Sequence, residues 1–217
     1  MKTLVKNIRA IDPALGLDEV CDILIDGDRI AEVGQDLSAD GAEILDRAGC
    51  IAVPGLVDIH VHLRDPGQEY KETIETGTAA AAHGGFTGIC SMPNTIPTTD
   101  NAATIDYVLD RARSAGHCRV YPSGACTMGL KGESLAEIGD MAAHGAVAFT
   151  DDGRGVQSAG MMRRVMDYAK MFNCVVMSHC QDEELVGPGQ VNEGVVSTRL
   201  GVAGWPGTSD TARHCSF

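Results

Sequence analysis

From Ile51 onward the sequence alternates short apolar stretches with longer helix-like segments, and this rhythm restricts the available folds more than any other feature. The apolar stretches have the length of strands and end about every thirty residues, the spacing of successive βα units. They lie at 55–62, 87–92, 119–125, 146–150 and 174–179. The helix-like segments between them lie at 72–83, 101–115, 135–144 and 161–172, and Asp100 is the candidate cap of the second. Because parallel strands require such crossovers, the pattern predicts a parallel α/β sheet, either closed into a barrel or open.

The first fifty residues have a different character. Short strands are predicted at 4–9, 21–25 and 29–33. Asp26 and Gly27, with Asp28 beside them, are typical of a hairpin because glycine tolerates the positive φ of such turns. This segment is therefore predicted to be entirely β.

Charge and composition exclude several classes of function. The chain has 17 Lys and Arg against 30 Asp and Glu, a formal net charge of −13, which argues against a nucleic-acid partner. The longest apolar runs fall short of the ~18 residues that would span a bilayer, so no membrane segment is expected. Residues 1–7 lack an apolar signal core, and the eight cysteines show no CxxC pairing. A reducing, cytoplasmic location is therefore expected.

Polar residues fall where the predicted strands end. His60, His62, Asn94, Asp151 and His179 each lie at or just after the carboxyl end of a strand. Barrels of the α/β class place their chemistry at this end, whereas the glycine-rich phosphate fingerprint of an open doubly wound sheet is absent. The sequence therefore favours the barrel.

Two of these residues form an HxH pattern in one strand. Side chains alternate faces along a strand, so His60 and His62 project to the same side, close enough to share a metal ion. Two histidines in a strand are also common as structural or surface residues, so the pattern alone leaves both interpretations open. Asp151 and His179 would add a carboxylate and a third imidazole at the same barrel mouth, which favours a zinc site.

The run 54–67 resembles the signature of the amidohydrolase superfamily, and specifically that of bacterial class I dihydroorotases. Further blocks match in order and spacing, at 92–95, 149–153, 179–182, 192–194 and Ser197. The resemblance implies a metal-dependent TIM (β/α)8 barrel preceded by a small β-sandwich segment. It also implies reversible hydrolysis of (S)-dihydroorotate to N-carbamoyl-L-aspartate in pyrimidine biosynthesis, with one or two zinc ions.

The resemblance also implies roles for individual residues. His60 and His62 would bind one zinc ion, His179 a second, and Asp151 would bridge them and act with the activated water. Many relatives use a carbamylated lysine as the bridge, and residues 148–152 contain no lysine, which favours the dihydroorotases over hydantoinases and dihydropyrimidinases.

Substrate contacts are implied for two further residues. Arg64 would bind the substrate carboxylate with help from Asn94, since a guanidinium forms a fork matched to a carboxylate. Asp152 is the weaker acid candidate, with the capping of a turn as its alternative role.

The resemblance ends near residue 206. A complete barrel takes ~250 residues, and the part from about residue 51 offers roughly five βα units. The predicted organisation is therefore a β segment at 1–52, a partial barrel at 53–206 and a divergent tail at 207–217. A frameshift, a premature stop and a partial gene model would each give this pattern. The family's general acid/base aspartate is missing from the match, so the chain as given is expected to lack appreciable activity.

Two other functions remain open at this point. One is another cyclic amidohydrolase, such as an allantoinase or a hydantoinase. The other is a non-catalytic partner of aspartate transcarbamoylase, in which the metal ligands would usually be degraded. The resemblance also leaves open a homodimer of the full-length form.

Overall fold

The structure is a computed structural model that describes residues 2–209. The described residues form two compact units, one ending at Gly55 and the other starting at Leu56. Within the described part of the chain, no helix is long and apolar enough to cross a membrane.

The N-terminal unit is a five-stranded sheet. Its strands are β1 (Lys2–Asp12), β2 (Leu17–Asp26), β3 (Arg29–Gly34), β4 (Glu43–Asp46) and β5 (Ile51–Ala52). The order is β3-β2-β1-β4, and β5 pairs with β1 farther along the same edge. The predicted hairpin joins β2 to β3 through Gly27, whose φ of 63° confirms the need for glycine. The sequence prediction missed β4 and β5, which are only four and two residues long.

A bulge at Asn7 interrupts the pairing of β1 with β2, and the buried carboxylate of Asp22 stabilises it. Asp22 accepts hydrogen bonds from the backbone N–H groups of Asn7 and Leu37, both at 3.0 Å. The ammonium group of Lys6 lies 3.2 Å from the same side chain. The hydrogen bond from Asn7 is the main cause that lowers the pKa of Asp22 below its usual value.

The second unit is built on a parallel sheet. Its strands are β6 (Leu56–Val61), β7 (Phe86–Ser91), β8 (Arg119–Gly124), β9 (Ala148–Phe149) and β10 (Val175–Val176). Each strand pairs in parallel with its neighbour in the sequence, which gives the order β10-β9-β8-β7-β6. The sheet curls into an incomplete TIM barrel, as the sequence predicts, with β6 and β10 as its edge strands.

Helices connect these strands in the predicted positions. They are α1 (Ile74–His83), α2 (Ala102–Ala115), α3 (Ile138–Ala143) and α4 (Ala159–Met171). The apolar faces of α2, α3 and α4 pack against the sheet around a buried cluster that includes Ile105, Met141, Phe149 and Val165, and Ile74 of α1 packs in a second cluster. Burial of these faces is the main source of stability for such an amphipathic layer.

The sequence suggested Asp100 as the cap of α2, but the structure shows otherwise. Asn101 caps the helix, and its side-chain oxygen accepts from the Thr104 N–H at 3.2 Å. Asp100 instead accepts from the backbone N–H of Gly129 at 2.8 Å and so helps to hold the loop after β8.

The chain after β10 forms short elements that the sequence prediction missed. They are α5 (Glu183–Val186), β11 (Val191–Asn192), α6 (Val195–Leu200) and β12 (Gly204–Trp205), and β11 pairs in parallel with β12. Of the predicted tail at 207–217, residues 210–217 lie outside the described residues. Ser209 folds back onto this region, because its carbonyl accepts from Asp182 N at 3.2 Å and its hydroxyl from Trp205 Nε1 at 2.9 Å.

Candidate metal centre

Three imidazoles meet at the carboxyl ends of the edge strands. His60 is near the end of β6, His62 directly follows it, and His179 comes three residues after β10. The alternation of the strand puts His60 and His62 on the same side, with ring centroids 5.2 Å apart. β6 and β10 lie at opposite edges of the sheet, so the curvature of the sheet is what lets His179 face the same carboxylate as the other two.

The side chain at the centre of this group is Asp152. His60 Nε2 lies 3.3 Å and His179 Nδ1 3.2 Å from its Oδ1, and His62 Nε2 lies 3.4 Å from its Oδ2. The carboxylate is buried, whereas His60 is half-exposed. The hydrogen bond between Asp152 and His179 lowers the pKa of Asp152 and raises the pKa of His179.

Asp151 lies elsewhere, although the sequence interpretation made it the bridging ligand. Its buried carboxylate accepts from the backbone N–H groups of Cys126 at 2.8 Å and Thr127 at 3.0 Å, and from the Thr127 hydroxyl. Burial raises the pKa of Asp151, although these hydrogen bonds oppose the shift. Among the described residues, the carboxylate that groups with His60 and His62 is that of Asp152.

The difference between the two aspartates has a local cause. Successive side chains in an extended segment point to opposite faces, and Phe149 at the end of β9 belongs to the core beneath the helices. Asp151 is two residues after Phe149 and therefore points to the core side, whereas Asp152 points to the opposite side. This alternation was readable in the sequence, and it would have identified Asp152.

Asn94 contacts a candidate ligand. Its Oδ1 lies 3.0 Å from His62 Nδ1, and an amide oxygen can only accept, so Nδ1 carries the proton. In the neutral ring, Nε2 then presents a lone pair toward Asp152 Oδ2, which is also an acceptor, at 3.4 Å.

This arrangement fits a bound cation. Two acceptors that face each other across 3.4 Å repel unless a proton or a metal ion lies between them. Three imidazoles and one carboxylate are donors of the type that zinc takes, and the non-ligand nitrogen of a metal-binding histidine usually has a hydrogen-bond partner. The residues present therefore fit a divalent metal of the zinc type.

Arg64 lies in the loop that follows β6, and its φ is 61°. Within residues 2–209, its half-buried guanidinium makes no hydrogen bond or ion pair. The neighbouring Asp65 anchors the loop, since its carboxylate accepts from the Tyr107 hydroxyl at 2.8 Å and from Ile74 N at 3.3 Å. The cationic group is thus held on an anchored backbone and is available to an anionic ligand.

A cleft of about 470 Å³ opens beside the cluster, lined in part by Asn94, Asp152 and Gly153. Its wall also carries Lys131 and Arg154, two cations that the sequence analysis did not single out. Neither side chain forms an ion pair with another described residue, in a chain of net charge −13. The cleft is therefore lined both by Asp152, a candidate metal ligand, and by two cationic side chains that have no ion-pair partner among the described residues.

The amino-acid sequence of this chain is similar to those of dihydroorotases. The family model described as dihydro-orotase-like matches residues 49–217. The dihydroorotase of Syntrophotalea carbinolica is 55% identical over 212 residues, and that of Geobacter sulfurreducens 51% over 213 residues. Each match covers 98% of this chain and 50% of the relative.

The solved structures show the same fold. The L-hydantoinase (dihydropyrimidinase) from Arthrobacter aurescens superimposes with a TM-score of 0.74 at 26% identity, over 85% of this chain and 42% of that protein. The chain spans about half the length of the curated relatives it matches. From the extent of the family match and the identity to these relatives, the chain belongs to the dihydro-orotase-like family.

Proposed function

We propose that the chain is part of a metal-dependent dihydroorotase, which hydrolyses the cyclic amide of (S)-dihydroorotate to N-carbamoyl-L-aspartate and catalyses the reverse ring closure. The observation that carries the proposal is the convergence of His60, His62 and His179 on the Asp152 carboxylate. The names of the relatives at 51–55% identity support the choice of substrate.

We propose zinc as the metal, held by His60, His62, Asp152 and His179, with one or two ions per site. When bound, zinc supplies Lewis acidity, which activates water and polarises a carbonyl oxygen. The chain's own part is to orient the donor atoms. Asn94 does this for His62 by fixing the proton on Nδ1.

Substrate capture falls to Arg64 and Asn94. Arg64 offers an unpaired guanidinium, and a fork of two parallel N–H donors matches a carboxylate better than a point charge does. Asn94 uses its oxygen on His62 and keeps its amide nitrogen for the substrate. That nitrogen lies on the Gly153 side, at the cleft.

A hydantoinase activity is the second candidate, because the structural match to the Arthrobacter aurescens enzyme is good. The higher identity to dihydroorotases weighs against it, as does the absence of lysine at 148–152. An assay of both ring types on the same preparation separates the two activities.

The decisive assay uses two proteins, because the chain spans half the length of its relatives. One is the 217-residue chain, and the other is that chain joined to the remaining part of the Syntrophotalea carbinolica dihydroorotase. We expect zinc-dependent hydrolysis of dihydroorotate by the joined protein. Opening of hydantoin with dihydroorotate untouched would contradict the substrate assignment. Capture of aspartate transcarbamoylase without any hydrolysis would favour the non-catalytic role.

Changing Arg64 to Met in the joined protein tests the carboxylate contact. We expect a loss of about 2–4 kcal/mol in kcat/KM, because the substrate carboxylate is left unpaired, with zinc content unchanged. Arg64→Lys should restore only part of it, since a lysine lacks the fork geometry. An equal loss of zinc in Arg64→Met would show that Arg64 supports the metal site.

A further inference from the structure

Gln181, two residues after His179, makes contacts that determine which way its amide points. Its Nε2 lies 3.0 Å from the Glu183 carboxylate, and its Oε1 lies 3.3 Å from His179 Nε2. A carboxylate only accepts, so the amide NH2 group must face Glu183 and the amide oxygen must face His179. An amide oxygen also only accepts, so His179 Nε2 carries a proton. The other ring nitrogen, Nδ1, faces Asp152 at 3.2 Å.

A second amide holds this segment in place. Gln157 Nε2 donates to the Gln181 carbonyl at 3.0 Å, and Gln157 Oε1 accepts from Glu183 N at 3.1 Å. The same Nε2 is 2.7 Å from the Arg154 carbonyl, just before α4. Gln181 is therefore fixed by the chain at the start of α4 as well as by its own side-chain contacts.

His62 and His179 are thus arranged in a complementary way. His62 donates from Nδ1 to Asn94 and presents Nε2 to Asp152, whereas His179 donates from Nε2 to Gln181 and presents Nδ1. In both rings, the nitrogen without the amide partner faces the same carboxylate. Two separate amides therefore select opposite tautomers for one centre.

We propose that Gln181 is a positioning residue, which keeps the proton of His179 on Nε2 when a metal ion replaces the proton between Nδ1 and Asp152, so that Nδ1 is its metal-binding atom. This inference rests on the metal site of the proposed function. Its physical basis is that neutral imidazole has one lone pair, and the partner of the other nitrogen decides where it lies.

The test compares three variants of the 217-residue chain. Gln181→Leu keeps the size of the side chain and removes the acceptor. Gln181→Glu keeps an acceptor, and the exposed Glu183 can turn away from the added charge into solvent. Gln190→Leu is the matched control, because Gln190 is exposed and its side chain contacts no ligand of the centre. Zinc affinity is measured by competition with a chelator, and the cobalt-loaded chains are compared by their visible absorption.

We expect Gln181→Leu to bind zinc about 10- to 100-fold more weakly and to change the cobalt spectrum. Gln181→Glu should recover affinity to within a few-fold, and Gln190→Leu should match the wild type. In zinc-loaded wild type, long-range proton–nitrogen NMR should find the His179 proton on Nε2.

Wild-type affinity in Gln181→Leu would overturn the inference, as would an equal loss in the Leu and Glu variants or a proton on Nδ1. Those results would leave the metal site intact. Failure of the wild-type chain to bind zinc or cobalt would instead refute the proposed metal site, and this inference with it. Circular dichroism of each variant separates loss of folding from loss of the ligand atom, and Gln181→Glu still tests the acceptor if the Leu variant unfolds.

Discussion

The N-terminal β unit and the half-barrel each bury an aspartate, and the two carboxylates are satisfied in opposite ways. Asp22 is surrounded by groups that always donate, namely two backbone N–H groups and the Lys6 ammonium. Asp152 is surrounded by three imidazoles, which can donate or accept. A carboxylate with fixed donors stabilises the local fold, whereas one surrounded by imidazoles that can give up their protons is arranged to share a cation.

Asp151 belongs with Asp22 in this comparison, although it is next to Asp152 in the chain. Its partners are two backbone N–H groups and a hydroxyl of the loop after β8. The Thr127 hydroxyl in turn accepts from Gly132 N at 2.9 Å, so one carboxylate organises the whole turn. Adjacent residues of the same type thus have different roles, one in structure and the other at the site.

The largest effect should come from Asp152→Asn. Removing the charge at the centre should weaken zinc binding about 1,000-fold, beyond the 10- to 100-fold typical of residues that only position a ligand. The free energy of unfolding of the metal-free chain should change by less than about 1 kcal/mol, since the imidazoles keep solvent contact. Chelator competition and urea denaturation measure the two quantities. Asp22→Asn serves as the control and should keep zinc; retention of zinc by Asp152→Asn would contradict the assignment.

Asp151→Ala should have the opposite pattern, a loss of folding stability with zinc binding retained. It leaves the buried N–H groups of Cys126 and Thr127 without an acceptor, which should cost about 3 kcal/mol of unfolding free energy. Thr127→Val removes one hydroxyl from the same network and should cost about 1 kcal/mol. Urea denaturation followed by circular dichroism gives both values. If Asp151→Ala kept its stability and lost zinc, Asp151 would be the ligand after all.

Two glycines with nearly the same backbone test how closely the centre is packed. Gly155 and Gly201 have φ of 67° and 65°, but a Cβ on Gly155 would lie 2.4 Å from the His179 carbonyl, whereas one on Gly201 meets nothing within 4 Å. Substitution by alanine should cost about 1 kcal/mol at Gly201, from the left-handed backbone, and about 2 kcal/mol at Gly155. Only Gly155→Ala should also weaken zinc binding. Equal losses of stability and unchanged zinc affinity would show that His179 can move freely.

The smallest effect concerns pH and the β unit. The folded pKa of Asp22 is lowered, so its contribution to stability is present above its unfolded pKa, near 3.9, and is lost as pH falls through the folded value. We expect Asp22→Asn to lower the protection of β2 amides from hydrogen exchange at pH 6, and less so near pH 3. Exchange is the suitable probe because the first 55 residues contain no aromatic side chain. A difference that does not change with pH would argue against the lowered pKa.

Elements that belong to the repeating βα pattern were accessible from the sequence, and short elements outside that pattern were not. The strands and helices of the half-barrel repeat an apolar pattern over many residues, so their alternation along the chain was correctly predicted. β11 and β12 are two residues each, and they form by pairing with each other. The cap of α2 was missed by one residue because Asp100 and Asn101 are both good caps, and Gly129 contacts Asp100.

The sequence by itself determined that a parallel half-barrel follows an all-β unit, and that histidines sit at the ends of its edge strands, because apolar periodicity and HxH spacing are local properties. Only the tertiary structure decided which atoms meet. The curvature of the sheet brings His179 to the carboxylate that His60 and His62 also face, whereas the choice between Asp151 and Asp152 follows the strand alternation that the sequence already carries. Gln181 could not be assigned from sequence, because its amide orientation depends on Glu183, Gln157 and His179 together. Metal-binding geometry depends on directions in space, and those are fixed only when distant segments pack against one another.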